Sequence, residues 1–409
     1  MISAHELPAE LYDFVLDCLS EDKLTLRNCA LVTRDWLPRA RHHLFRSIYI
    51  DWSNCYAFSR LLASNPELGA CVATLEIEGA FGIFSMDRLH GATLDAWLRS
   101  ISPVFPPQLS HLTKLELALI TIDAELVRRF FGRLSGISHL TLWACALTSF
   151  DVFVELFASF PALKRLSVAF TQEWETNPRR LAPVPEGAIL PRIEVVDLTS
   201  CCDNFKVLQW LVAHNLHTAI HTFHCSRVPW SSICILRNVL GALAPTLRTL
   251  KVGFGDNACA SDDVPSASWT QHIFSPLSAL TTVTLDIQTG RIAVVPFTLL
   301  LLVHLPMPAL RTLTFAVKCG EYDGALAELW PRMAAATASV ARAAPTLERV
   351  VVCAKEKDDD GVVSGASFPY RGVPSFDFAE MESAVVDAFT EKGLGKLLLF
   401  EKSDFKGCC

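Results

Sequence analysis

A run of cysteines and histidines in the middle of the chain could hold a metal: Cys201, Cys202, His214, His217, His221, His224 and Cys225. Thiolate and imidazole are the ligands zinc prefers. The spacing argues against it, because no pair forms the Cys-x-x-Cys knuckle that builds such sites. These side chains are expected to be satisfied or solvated, and neither a metal nor any other cofactor is expected. Gly253-Phe254-Gly255 follows an apolar run but lacks the third glycine and the helix start of a phosphate cradle. No P-loop and no Gly-x-Ser-x-Gly nucleophile elbow occurs. Glu76 and Glu78 stand two apart, which suits one solvated face of a strand better than an acid/base pair. The chain is therefore not expected to be an enzyme in its own right.

Composition narrows the class further. Of 409 residues, 51% are hydrophobic and 19% charged, the balance of a well-buried globular protein rather than a disordered one. A net charge of −7 argues against a nucleic-acid partner, which calls for a basic face. The 14 cysteines show no regular spacing and no signal pattern precedes them, so reduced thiols in the cytoplasm or nucleus are expected. The longest apolar run, 294–305, is broken by Pro296, Thr298 and His304 and is too short to span a bilayer. It reads as a buried helix, with no membrane partner. The terminal pair Cys408-Cys409 is similar to a double-prenylation tail but is not a C-a-a-X box, and an exposed reduced pair is expected.

The elements that position these residues follow a recurring phrase, Leu-x-x-Leu-x-Leu. It appears as Val72-Leu75-Ile77, Leu112-Leu115-Leu117, Ile137-Leu140-Leu142 and Leu163-Leu166-Val168. It continues through Ile193-Val196-Leu198, Ile220-Phe223-Cys225, Leu247-Leu250-Val252 and Leu280-Val283-Leu285 to Leu310-Leu313-Phe315 and Leu347-Val350-Val352, with a fragment at 395–400. The spacing, about 25–40 residues, lies within or above the leucine-rich-repeat range. Each phrase ends in a short strand whose alternate residues point inward. Helical patterns at 124–131, 150–160, 205–213 and 325–343 lie between the phrases. A strand plus a crossover helix, repeated, predicts an α/β solenoid with a curved parallel sheet. The asparagine that often follows the strand in tight repeats is missing. Segments 171–190, 255–271 and 354–377, rich in Pro, Gly, Ser and acidic residues, read as loop insertions.

Ahead of the repeats, residues 7–48 read as three short helices. Leu11, Val15 and Leu19 recur every fourth position, Pro8 suits the first helical position, and Thr33 can cap the third helix, along which Trp36, Ala40 and Leu44 repeat. So short a bundle cannot bury all its apolar surface alone. Leu7-Pro8-x-Glu10, then Cys29-Ala30-Leu31-Val32-x-Arg34-x-Trp36 and Leu44-Phe45, resembles an F-box of the fungal type followed by degenerate leucine-rich repeats. The resemblance implies a three-helix F-box at 1–50, a helical linker at 51–67 and a leucine-rich-repeat-like solenoid at 68–409. It implies a Skp-type adaptor as partner and, through it, a cullin–RING ubiquitin ligase (an SCF complex) of which this chain is the substrate receptor. Leu7, Pro8, Leu11, Val15, Leu19, Leu24 and Val32 are the expected adaptor contacts. Trp36, Leu44 and Phe45 are expected to close the bundle.

The target would then lie on the strand face opposite the inward leucines, whose rungs include Glu116, His139, Trp143, Arg165, Asp197, His224 and Lys251. Trp143 and Arg165, on neighbouring phrases, are the expected centre, because aromatic and arginine residues anchor interfaces. The insertions are the alternative target site. Two other readings compete: an F-box scaffold that binds the adaptor without ubiquitination, and an α/β enzyme hidden in the repeats.

Overall fold

The computed structural model describes residues 8–79, 88–101, 105–169, 183–199, 204–228, 232–254, 277–288, 307–319, 325–356 and 378–402. The expected helix at 294–305, the insertion at 255–271, residues 357–377 and the terminal cysteines lie outside them. The chain divides into two compact units, Met1–Arg192 and Ile193–Cys409.

The first unit opens with α1 (Ala9–Cys18), α2 (Lys23–Val32) and α3 (Leu37–Arg46). Pro8 stands at the cap of α1 rather than inside its first turn. Asp22 caps α2 by accepting the Thr25 N–H at 3.0 Å, and Thr33 accepts the Trp36 N–H at 3.3 Å just ahead of α3. Leu16, Leu26 and Cys29 form the bundle core, against which Leu19, Trp36 and Leu44 pack, partly buried. Phe45 is half-buried and not part of that cluster. With so few enclosed side chains the bundle depends on what adjoins it.

It adjoins the sheet directly. Ser47–Ile50 is a strand, β1, paired in parallel with β2 (Thr74–Glu78). Between them runs α4 (Cys55–Ser64), in the span expected as a linker. The unit continues through α5 (Arg88–Ser100), α6 (Phe105–Gln108), β3 (Lys114–Ala118), β4 (Thr121–Ile122) and α7 (Ala124–Arg129). It ends with β5 (His139–Trp143), β6 (Ala146–Leu147), α8 (Phe150–Ala158) and β7 (Arg165–Ala169). Strands β1, β2, β3, β5 and β7 form one parallel sheet in that order. Side-chain caps start the crossover helices: Asp123 accepts the Leu126 N–H at 2.8 Å and Ser149 the Val152 N–H at 3.3 Å.

The register stacks each phrase on the next. Leu75, Leu115, Leu140 and Leu166 pair in one row, and Ile77, Leu117, Leu142 and Val168 in another, all buried. Burying each such side chain stabilises by about 1.5–3 kcal/mol. Where the strands end, Leu119 and Ala144 take left-handed backbone angles (φ 57° and 49°). Their N–H groups bond to Trp143 O and Ala169 O, so the ladder continues past the strand. Gly79 occupies the matching place after β2, where a Cβ would lie 2.1 Å from Leu119 O and only glycine fits.

Cys145 fills the place the missing asparagine would take. Ile137-x-x-Leu140-x-Leu142-x-x-Cys145-x-Leu147 follows the repeat pattern in which Asn or Cys stands after the strand. Its thiol is fully buried and donates to Leu117 O at 3.1 Å, bridging two turns.

The second unit is a parallel sheet in sequence order: β8 (Val195–Thr199), β9 (Thr222–Val228), β10 (Thr249–Phe254), β11 (Thr282–Gln288), β12 (Thr312–Cys319), β13 (Arg349–Glu356) and β14 (Leu398–Lys402). Its described helices are α9 (Asn204–Ala213), α10 (Ile233–Leu243), α11 (Ala325–Ala343) and α12 (Phe378–Glu391). Val196, Phe223, Leu250, Val283, Leu313 and Val350 form its inward row, all buried. Both units are thus built on the strand–helix unit of leucine-rich repeats. No helix among the described residues is long and apolar enough to cross a membrane.

Leu142→Ala should destabilise the first unit by about 2–5 kcal/mol in denaturant unfolding, as truncation of a fully packed leucine does. Burial pushes the Cys145 thiol up to about 12. At about pH 8 Cys145 should resist alkylation in the native chain while the exposed Cys18 and Cys234 react, read by peptide mass mapping.

Candidate functional site

The N-terminal helices leave an apolar surface uncovered. On α1, Tyr12 and Leu16, and Leu19 at its C-terminal cap, turn toward the bundle while Leu11, Phe14 and Val15 face out, with Phe14 65% exposed. On α2, Leu26 and Cys29 turn inward, and Leu24, Leu31 and Val32 face out, with Leu31 86% exposed. A helix with apolar residues on both sides is one that something else covers. Of the residues expected to meet an adaptor, Leu11, Val15, Leu24 and Val32 lie on these outward stripes, and Pro8 is exposed beside them. Leu19 instead packs on the bundle core, and Leu7 lies outside the described residues. Phe14 and Leu31 were not among the expected adaptor contacts. The signal was there, since Leu11, Phe14 and Val15 are spaced i, i+3, i+4, one helical face.

An ion-paired clamp fixes α1 onto α3. Arg39 Nε and Nη2 donate to the two Asp17 oxygens at 2.6 and 2.7 Å, a bidentate pair, and His43 Nε2 lies 2.7 Å from Asp17 Oδ1. Hydrogen bonding by Arg39 and then His43 holds the Asp17 carboxyl well below the usual carboxylate range. His43 is itself buried. Beside the clamp, Tyr12, Asp13, Asp35, Pro38, Arg39 and His42 line a surface cavity of about 360 Å³. Burial, then the charge of Arg39, pulls the His42 pKa down.

The outward strand faces carry the other candidate residues. In the first unit Lys114, His139 and Arg165 stand side by side at the strand starts. Burial, then Arg165 and Lys114, lowers the His139 pKa. The next row holds Tyr49, Glu76 and Glu116. Lys114 is paired with Glu116, and Tyr49 donates to Glu78 Oε2 at 2.7 Å. Burial and the charge of Glu116 raise the Glu76 pKa. Trp143 pairs with Ala169, four residues along the strand from Arg165, whose partner is His139. At about 3.3 Å per residue they stand roughly 13 Å apart along the strand. The register therefore puts Trp143 and Arg165, expected as neighbouring rungs, at opposite ends of their strands.

In the second unit Asp197, His224 and Lys251 form one row, with His224 Nδ1 3.4 Å from Asp197 Oδ2. The remaining members of the cysteine–histidine run scatter. His214 packs against the Trp210 ring, His221 Nδ1 contacts Thr222 Oγ1 at 3.0 Å, and Cys225 is buried in the inward row. Cys201 and Cys202 lie outside the described residues. Among the described residues no group of three or more His, Cys, Asp or Glu is placed to hold a metal ion.

Comparison with known proteins adds little. No family model matches the chain and no curated protein matches it in sequence. Among solved structures it is similar to the leucine-rich repeat-containing protein LegL7 from Legionella pneumophila, at 12% identity over 69% of this chain and 83% of that one, TM-score 0.38. It is similar to human 5T4 (trophoblast glycoprotein) at 15% identity over 54% and 76%, TM-score 0.29. A chain of the yeast Rad7–Elc1 complex aligns at 14% identity over 88% and 94%, TM-score 0.31.

Asp17→Asn should lower the thermal midpoint of the chain at neutral pH by loosening α1 from α3. Because the folded pKa of Asp17 is depressed, its contribution is complete above the unfolded value of about 3.9 and is lost as pH falls toward the folded one. The gap between wild type and variant should therefore close on acidification, read by melts at neutral and strongly acidic pH.

Proposed function

We propose that this chain is the substrate-receptor subunit of an SCF-type cullin–RING ubiquitin ligase. Its N-terminal helices would hold a Skp-type adaptor, and its repeat strands would present a protein target. The observation that carries this reading is the pair of outward apolar stripes, Leu11-Phe14-Val15 and Leu24-Leu31-Val32. They lie in the segment whose Leu-Pro-x-Glu and Cys-Ala-Leu-Val-x-Arg-x-Trp motifs resemble an F-box. In this reading catalysis belongs to partner subunits and the chain supplies proximity and orientation, in the cytoplasm or nucleus.

The test uses residues that are exposed in the free chain. Phe14→Glu with Leu31→Glu should remove an interface anchor from each helix, at a cost of about 2 kcal/mol or more apiece, and abolish co-purification of a Skp-type adaptor. The thermal midpoint should stay at the wild-type value. Undiminished adaptor capture by the double variant would overturn the assignment. Adaptor capture without cullin-dependent turnover of any bound protein would instead favour the non-ubiquitinating scaffold.

A further inference from the structure

The outward face of the first unit is divided by charge. Strands β2 and β3 carry Glu76, Glu78 and Glu116 on it, whereas β5 and β7 carry His139, Thr141, Arg165 and Ser167. The four residues of the second group form a square. Arg165 pairs in register with His139 and Ser167 with Thr141, about 4.8 Å apart across the strands and about 6.6 Å along them. All four point away from the core, because the alternate residues Leu140, Leu142, Leu166 and Val168 are buried. Arg165 is exposed and the other three are half-buried, so the square is open to solvent.

Its polar groups are unmatched. Acidic residues outnumber basic ones in the chain, 43 to 36, yet among the described residues no carboxylate pairs with the Arg165 guanidinium. The Thr141 and Ser167 hydroxyls likewise have no hydrogen-bond partner among the described residues. Lys114, next in the row of His139 and Arg165, is paired with Glu116. Burial, then the charges of Arg165, Lys114 and Lys164, lowers the His139 pKa, so the ring is neutral at pH 7. Its Nδ1 is engaged by Ser138 Oγ at 2.8 Å. One uncompensated positive charge is left, with two hydroxyl groups beside it.

We propose that Arg165, Thr141 and Ser167 bind one carboxylate of a protein target, an aspartate or glutamate side chain. The arginine fork meets a carboxylate through two parallel bonds, and both hydroxyls can donate to its remaining lone pairs. A single positive charge matches a monoanion, whereas a phosphorylated side chain of charge near about −2 would stay half uncompensated. Glu76, Glu78 and Glu116 repel the same group, so the acid is directed to β5 and β7. The inference rests on the reading of the strand face as target surface and names the chemistry that surface selects.

The probe is a random-peptide phage library panned against the immobilised full chain, with the Arg165→Gln chain as counter-target. The expected result is enrichment of peptides sharing one aspartate or glutamate, whose synthetic copies bind the Arg165→Gln chain at least about tenfold more weakly. Arg165 is exposed, so the variant should keep the wild-type thermal midpoint. Replacing the shared acid by its amide should reproduce the loss on wild type, and combining both changes should add little to either. Thr141→Val with Ser167→Ala alters no charge and should weaken the same peptides about threefold, which places the contact on the square rather than in the general field. Selected peptides without an acidic residue, or equal binding to wild type and Arg165→Gln, would overturn the proposal. So would copies carrying phosphoserine in place of the acid that bind more than about tenfold tighter, since the site would then select a phosphate. Adaptor capture by the same immobilised chain reports separately on the substrate-receptor reading.

Discussion

Each unit depends on the lateral pairing of short parallel strands in a single register. Leu75, Leu115, Leu140 and Leu166 pair strand by strand, as do Val196, Phe223, Leu250, Val283 and Leu313. A slip of one residue would turn every such side chain outward, so the apolar rows and the pairing enforce each other. The residue before each strand locks the step: Thr113 O accepts from both Ser138 and His139, and Ser138 O from both Lys164 and Arg165. The outward residues are placed by the same register, including the row Lys114-His139-Arg165 and the row Asp197-His224-Lys251.

The same constraint reaches the N-terminal bundle. Helix α3 ends at Arg46 and β1 begins at Ser47, with Arg46 O accepting the Ala73 N–H at 2.9 Å just before β2. No flexible residue separates the helices from the first strand. The Asp17–Arg39 clamp then ties α1 to that same α3. A bundle that grips an adaptor would therefore transmit its orientation to the first repeats. In the proposed substrate-receptor role, such stiffness would be the useful property.

Much of this was legible in the residues. The Leu-x-x-Leu-x-Leu phrases marked the strands because their inward positions tolerate little except Leu, Val, Ile or Phe. Other features were not. Ser47–Ile50 is too short to announce a strand and is recognisable only by its pairing with β2. Cys145 does the work of the absent asparagine through a thiol donor, which becomes visible once Leu117 O is seen beside it. The stripe Leu11, Val15, Leu19 drifts around the helix, so a fourfold spacing joined two residues that face out to one that faces in. The distance between Trp143 and Arg165 was hidden for a similar reason, since adjacency of phrases says nothing about position along the strand.

The central claim is that the outward apolar stripes of α1 and α2 are an adaptor-binding surface. Hydrogen exchange read by mass spectrometry on the full chain, alone and with a purified Skp-type adaptor, addresses it most directly. The account predicts slowed exchange over Ala9–Cys18 and Lys23–Val32 on adding the adaptor, with the strands Val195–Thr199 to Arg349–Glu356 unchanged. Exchange in the two helices that stays the same at saturating adaptor, or protection confined to the strands, would contradict it.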